Sequence, residues 1–271
     1  MNLRERYLVK PGKKLRLKDH DPADTAGIHD EAHALKMVDK HRERLRKLQH
    51  LLFAEHKHAL LIVLQAMDAG GKDGVISHVM SGVNPQGCSV TSFKVPSQRE
   101  ADHDFLWRIH EAVPGKGEIG IFNRSQYEEV LVVRVHDLKP KSHWSQAYDQ
   151  INAFEKILTQ NDIHVAKFFL HISKDEQKRR FEERHTNPDK FWKASPADLE
   201  ERKRWDDYQE AFEDAIRKCS KKNAPWYIVP ADHKWFRDLV VSEVIVETLD
   251  ELKMQYPKEL PSLTTTKGGK K

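Results

Sequence analysis

Between a short apolar run and a helical pattern the chain reads Ala66-Met67-Asp68-Ala69-Gly70-Gly71-Lys72-Asp73-Gly74. Glycines in such a turn let backbone N–H groups converge on phosphate oxygens, and the helix that follows adds partial positive charge. Lys72 would add a full charge. At an effective dielectric near ~20, an ammonium about 4 Å from a phosphate oxygen is attracted by about 4 kcal/mol before desolvation. The chemistry is phosphate binding, with Ala69, Gly70, Gly71, Asp73 and Gly74 as the cradle and Asp68 as a carboxylate beside it. The order departs from G-x-x-x-x-G-K-[ST] at two places: Ala66 stands where glycine is expected, and Asp73 where a hydroxyl would bind Mg2+. A glycine-rich turn with a surface lysine is the competing reading.

A second cluster follows Glu118-Ile119-Gly120-Ile121-Phe122, where the chain continues Asn123-Arg124-Ser125-Gln126-Tyr127-Glu128-Glu129. In open α/β sheets neighbouring strands end at one crevice, so Asn123 and Arg124 would face the glycine turn. The planar guanidinium of Arg124 suits phosphate oxygens. Glu128, one helical turn beyond Arg124, offers a second carboxylate next to Asp68. Ser125 and Glu128 also match a capping box, and both roles are compatible. Further on, Arg180 and Arg184 are spaced to share one helix face, with Arg179 on the flank and Lys190 and Lys193 after Pro188. A linear polyanion needs such a row rather than a single pocket. Lys234 and Arg134 are weaker members of the phosphate-binding set, as are Arg99 and His136. The competing reading is a solvated helix whose Glu182 and Glu183 neutralise its own arginines.

These residues need elements to hold them. Leu35, Val38, Leu45, Leu48 and Leu52 predict a helix over about 28–57, and Ala59–Leu64 a strand buried on both faces. Similar runs at Ser89–Val95, Glu118–Phe122, His164–His171 and Trp226–Val229 alternate with helical patterns at Glu100–Ala112, Ser125–Val133, Trp144–Thr159, Pro196–Lys218 and Lys234–Lys253. Strands alternating with helices predict an α/β three-layer sandwich around a five-stranded parallel sheet. Residues 1–27 read as an irregular basic arm, 28–258 as one phosphate-binding α/β domain that includes the helical segment at 174–195, and 259–271 as a disordered tail.

With 271 residues, 32% of them charged, and a net charge of +4, the chain fits one large charged α/β domain, or one domain with a small mobile module. No apolar stretch reaches a membrane span, the N-terminus lacks a secretory core, and two cysteines make no disulfide framework, which together predict a cytoplasmic protein. Sixteen histidines include no cluster with zinc spacing.

Ala69–Gly74, then Ile121–Glu129, then Trp205-Asp206-Asp207-Tyr208 closely resemble the polyphosphate kinase 2 family, in the same order and over about His33–Leu252. The resemblance implies a P-loop kinase-like fold with a lid, dependence on Mg2+ (or Mn2+ in its place), and inorganic polyphosphate as phosphoryl donor or acceptor. Many members carry Asp where Asn123 stands. Asn here with Glu five residues on resembles class III, whose members phosphorylate nucleoside monophosphates and diphosphates. By that resemblance Lys72, Asp68, Arg124 and Glu128 are catalytic, Asp68 and Glu128 hold the metal, Asn123 and Arg134 meet nucleotide phosphates, and Arg179, Arg180, Arg184, Lys193 and Lys234 bind polyphosphate. The implied partners are polyphosphate and adenine nucleotides, with no nucleic acid or membrane, in a dimer or tetramer. An ATP-dependent nucleoside monophosphate kinase and a non-catalytic P-loop regulator stay open as alternatives.

Overall fold

The computed structural model describes residues 2–258, so the tail expected at 259–271 lies outside the described residues. Five strands form one parallel sheet in the order β2-β3-β1-β4-β5: β1 Ala59–Ala66, β2 Cys88–Ser92, β3 Ile119–Asn123, β4 Ile163–His171 and β5 Trp226–Pro230. Seven helices matter for the site: α1 Leu3–Tyr7, α2 Glu31–Glu55, α3 Lys72–Val79, α4 Lys141–Gln160, α5 Lys174–Thr186, α6 Trp205–Cys219 and α7 Lys234–Asp250. The period-two geometry of a strand explains the sandwich. Leu60, Ile62 and Leu64 of β1 join one core with α2, α3 and α7, while Leu61 and Val63 join the other with α4 and α6. Every residue of β1 is buried, as an apolar run covered on both faces requires.

Several elements depart from the sequence reading. Leu35 is exposed and Ala34 takes the buried place on α2, whose start is capped by the Asp30 carboxylate accepting from the His33 N–H at 2.9 Å. The helix expected at Glu100–Ala112 is two short pieces, Gln98–Ala101 and Trp107–Glu111. That at Pro196–Lys218 breaks at Arg204 into Ala197–Lys203 and α6. The one at Ser125–Val133 is a tight turn at Gln126–Glu129 followed by Val132–Val135. Strand β2 ends at Ser92 because its sole neighbour β3 ends opposite, at Asn123; Val95 beyond it is exposed.

The arm of residues 1–27 is also corrected. It contains α1, buries Leu3, Tyr7 and Leu17, and is tied to β5 by the Val9 N–H donating to the Trp226 carbonyl at 2.9 Å. Its apolar residues are too widely spaced to show a period, yet α1 packs on β5 and α7 while Leu17 joins the core on the α4 and α6 side.

Two buried polar groups cross the sheet. Lys167 of β4, fully buried, donates to Tyr127 Oη at 2.9 Å and the Cys219 carbonyl at 2.8 Å, and is ion-paired with the buried Glu155 of α4. His171, at the end of β4, has Nε2 on the His20 carbonyl at 3.1 Å and leaves Nδ1 without a partner. Burial pushes its pKa down from 6.5 to about 4. The folded chain therefore holds His171 neutral where the unfolded chain binds a proton, and stability is lost as pH falls from the unfolded value through about 4. His171→Gln is expected to flatten the fall in unfolding free energy between about pH 7 and about pH 4.5 by about 2 kcal/mol. Denaturant titrations of both proteins at the two pH values check this; parallel losses would refute it.

Candidate active site

The loop between β1 and α3 is wound by local constraints. Gly70 donates its N–H to the Met67 carbonyl at 3.0 Å, Ala69 takes the left-handed conformation at φ 60°, and Gly71 caps α3 at φ 103°. A side chain on Gly70 would put its Cβ 2.6 Å from Ala66 Cβ, so a small residue at 66 is part of the turn. The missing first glycine of the motif is thus replaced by alanine with little to spare. Lys72 opens α3 and lays Nζ 3.3 Å from the Ala66 carbonyl, half-buried. Burial lowers its pKa; the Asp68 and Glu128 carboxylates work against that.

The exit of β3 meets this loop. Arg124, also left-handed at φ 64°, donates its N–H to the Leu64 carbonyl at 3.2 Å and reaches Asp68 Oδ1 with Nη2 at 3.4 Å. A non-glycine residue in that region costs roughly 1–3 kcal/mol, which the packing of a site must sustain. Burial opposes the charge on Arg124, but Glu128 and Asp68 outweigh it and raise its pKa. The capping box expected of Ser125 and Glu128 does not form. Ser125 Oγ accepts from the Tyr127 N–H at 3.3 Å, and Glu128 instead accepts from Gln65 Nε2 at 3.1 Å. That turns the carboxylate toward the loop. Its pKa is raised by burial, with Arg124, Gln65 and Lys72 opposing.

Above the loop lies the lid: α5, the turn Pro188–Lys193 and the helix Ala197–Lys203. Loop, β3 exit and lid enclose a crevice of about 800 Å3. Arg184, Lys190 and Lys193 line it from the lid, and Lys234 and Arg237 from the start of α7. Asp73 closes the mouth, accepting from Asn123 Nδ2 at 2.9 Å and lying 3.7 Å from Lys193 Nζ. A second pocket of about 320 Å3, lined by Gln65, Glu128, His136, Glu201, Tyr208 and Phe212, shares Asp68 and Arg124 with the crevice. Those two residues therefore stand at the junction of two binding spaces.

The structure gathers Lys72, Asp68, Arg124, Glu128, Asn123 and the loop residues, and places Arg184, Lys193 and Lys234 around the same crevice. It does not gather all the others. Arg134 points away, to Asp214 at 2.8 Å, Glu210 and Tyr148. It lies off the crevice because α6 passes its other side. Arg179 is taken up by Glu176 at 2.6 Å and does not line the crevice, since it sits about 100° round α5 from Arg180. Arg180 borders the crevice but is buried, donating to the carbonyls of Ala69 at 2.9 Å, Ala231 at 2.6 Å and Asp232 at 3.1 Å. It fastens the lid to the loop rather than presenting free donors. Gln177, a neutral residue on the same helix, makes the same kind of tie through Nε2 to the Asp68 carbonyl at 3.0 Å. Arg237 was missed; an arginine in the apolar run Trp235–Ile245 was the available signal.

Among the described residues no group of three or more histidine, cysteine or acidic side chains gathers as a metal site. Mg2+ does not need one: it keeps water and takes one or two carboxylates together with substrate phosphates. Asp68 and Glu128, hard oxygen donors either side of Arg124, fit that demand.

A glycine loop opening a helix, a neighbouring strand that ends in arginine, and a cation-bearing lid over both define a P-loop kinase-like fold with a site for phosphoryl transfer. The chain belongs to the polyphosphate kinase 2 (PPK2) family, whose family model matches residues 28–257. It is 51% identical over 255 residues to the AMP/ADP-polyphosphate phosphotransferase of Meiothermus ruber, covering 94% of this chain and 96% of that one. It is 47% identical over 270 residues to the ADP-polyphosphate phosphotransferase of Rhodopseudomonas palustris, covering 95% and 93%. The crystal structure of polyphosphate kinase 2 from Arthrobacter aurescens superimposes with a TM-score of 0.92 at 41% identity, covering 96% of this chain and 93% of that one.

Proposed function

We propose that this enzyme transfers phosphoryl groups from inorganic polyphosphate to AMP and ADP, giving ADP and ATP, in a reaction that also runs in reverse. The observation that carries the reading is the junction at Asp68 and Arg124 between a long cation-lined crevice and a separate smaller pocket. A polyanionic chain fits the first and a nucleotide the second. Transfer between them needs an oxygen of the nucleotide phosphate to form a bond to the terminal phosphorus of the chain. The anhydride P–O bond breaks as it does so, and the shortened chain keeps the electron pair. No side-chain nucleophile takes part.

Such transition states are loose and in line, so catalysis is positioning and charge neutralisation. Lys72 and the amides of residues 70–74 meet the oxygens of the transferring group, and Arg124 steadies the acceptor phosphate. Asp68 and Glu128 would hold Mg2+, which when bound would supply neutralisation of phosphate charge. The lid, fastened through Arg180 and Gln177, keeps water from competing as acceptor. A cytoplasmic setting belongs to the same reading and is supported by two unbridged cysteines, Cys88 and Cys219.

Purified protein incubated with AMP, polyphosphate and Mg2+, without ATP, should yield ADP and then ATP, read by chromatography and phosphorus NMR. Product formed only after ATP is added as donor would replace this reading with an ATP-dependent nucleoside monophosphate kinase. Nucleotide binding without product would leave a non-catalytic regulator.

A further inference from the structure

The start of α7 carries a buried arginine that the mechanism above does not use. Arg237 is 1% exposed, yet it lines the crevice. Its guanidinium lies directly against the glycine loop: a Cβ on Gly71 would fall 2.0 Å from Arg237 Nη1, and one on Gly74 2.9 Å from Nη2. Two of the loop's glycines thus leave the space this side chain fills, which gives a reason for glycine at 74 that phosphate binding alone does not.

The donors of Arg237 are largely unmatched. Nε donates to Asp238 Oδ1 at 2.8 Å. Nη2 lies 2.7 Å from the same oxygen but out of line for a hydrogen bond, and counts as a buried donor without a partner. Nη1 makes no hydrogen bond among the described residues. The contrast with Arg180, whose Nη1 stands 3.5 Å from the same Gly71 Cβ position, is direct: every nitrogen of Arg180 has an acceptor. Leaving a buried donor unmatched is costly, and more so on a charged group. Burial lowers the pKa of Arg237, with Asp238 opposing, so its charge is held against the cost of desolvation. An anion on the loop would relieve both costs.

We propose that Arg237 is a further polyphosphate-binding residue, charging the floor of the loop between Gly71 and Gly74 for the phosphoryl groups seated on its amides. The proposal rests on the polyphosphate reading of the crevice and adds a side chain to it. Arg237 acts on the polyphosphate side of the Asp68–Arg124 junction, because it lines the crevice and not the smaller pocket.

The test is binding of tripolyphosphate by calorimetry and by thermal shift, alongside KM for ADP, in wild type, Arg237→Met and Arg237→Lys. Arg237→Met should weaken tripolyphosphate binding at least about tenfold and remove most of the tripolyphosphate-induced rise in Tm, with KM for ADP within about twofold. Arg237→Lys, which keeps the charge, should fall between the two. A purely structural arginine would lower the Tm of the free protein and leave tripolyphosphate affinity within about twofold of wild type; that outcome overturns the proposal. So does an equal loss of affinity for ADP. If the single variant fails to fold because Asp238 is stranded, Arg237→Met combined with Asp238→Asn removes both charges and gives the same comparison. Wild type that binds no tripolyphosphate would instead defeat the polyphosphate reading itself.

Discussion

Lys72→Ala is expected to lower kcat/KM for phosphoryl transfer by on the order of 100-fold, about 2.7 kcal/mol in barrier, while leaving the fold intact. The size follows from where the ammonium sits. Nζ is at the first turn of α3, next to the loop amides and within the combined field of Asp68, Arg124 and Glu128. In the free protein its sole hydrogen bond among the described residues is a long one to the Ala66 carbonyl, so its removal strands no acceptor of consequence. Burial already disfavours its charge, so alanine should not lower Tm. The loss falls on the charged phosphoryl group in transit, in a crevice beneath the lid where one preorganised donor counts for more than in bulk solvent. Steady-state kinetics with polyphosphate and ADP, with Tm measured in parallel, decide it. Turnover within about twofold of wild type would remove Lys72 from the mechanism.

A second large effect is expected far from the chemistry. Lys167→Met should destabilise the fold by roughly 3–5 kcal/mol, because it strands a buried carboxylate. Glu155 is 1% exposed, and its other contacts are neutral: Tyr127 Oη donates to Oε1 at 2.8 Å and Gln126 Nε2 at 3.1 Å. Neither brings a compensating charge. Removing both ends of the pair should behave differently, since replacing a buried ion pair with apolar side chains of similar size is often neutral. Lys167→Met with Glu155→Leu is therefore expected to recover more than half of the loss in urea titrations, the Tyr127 hydroxyl retaining a cost of about 1 kcal/mol. A single variant within about 1 kcal/mol of wild type would show the pair to be dispensable.

Local chemistry was readable where several signals in one short segment agreed. The turn at residues 66–74 carries its own instructions in two adjacent glycines, a lysine and a following helix, and the fold reproduces each. Strands β1, β3, β4 and β5 were legible for the same reason, since an apolar run buried on both faces has few other uses; β2, at the sheet edge, is largely exposed. Arg134 and Arg179 show where that logic stops. Each has the right charge near the right motif, but Asp214 and Glu176 take them away from the crevice. Their partners lie on another element in one case and across a helix turn in the other, and charge alone does not choose between a carboxylate of the protein and a phosphate of the substrate. The capping box failed similarly, because Gln65 competes for Glu128 from a neighbouring strand.

The sequence by itself determined that this is a parallel α/β phosphate-binding protein with Lys72, Asp68, Arg124 and Glu128 at two strand ends. Those features follow from short-range periodicity and from the stereochemistry of a glycine turn, both complete within about ten residues. Tertiary structure alone decided which cations face the crevice and which brace the lid, and that Arg237 fills the space two glycines leave open. It also decided that the arm of residues 1–27 belongs to the core. These outcomes turn on contacts between elements distant in sequence, where burial sets the cost of every unmatched donor and packing determines which acceptor it reaches.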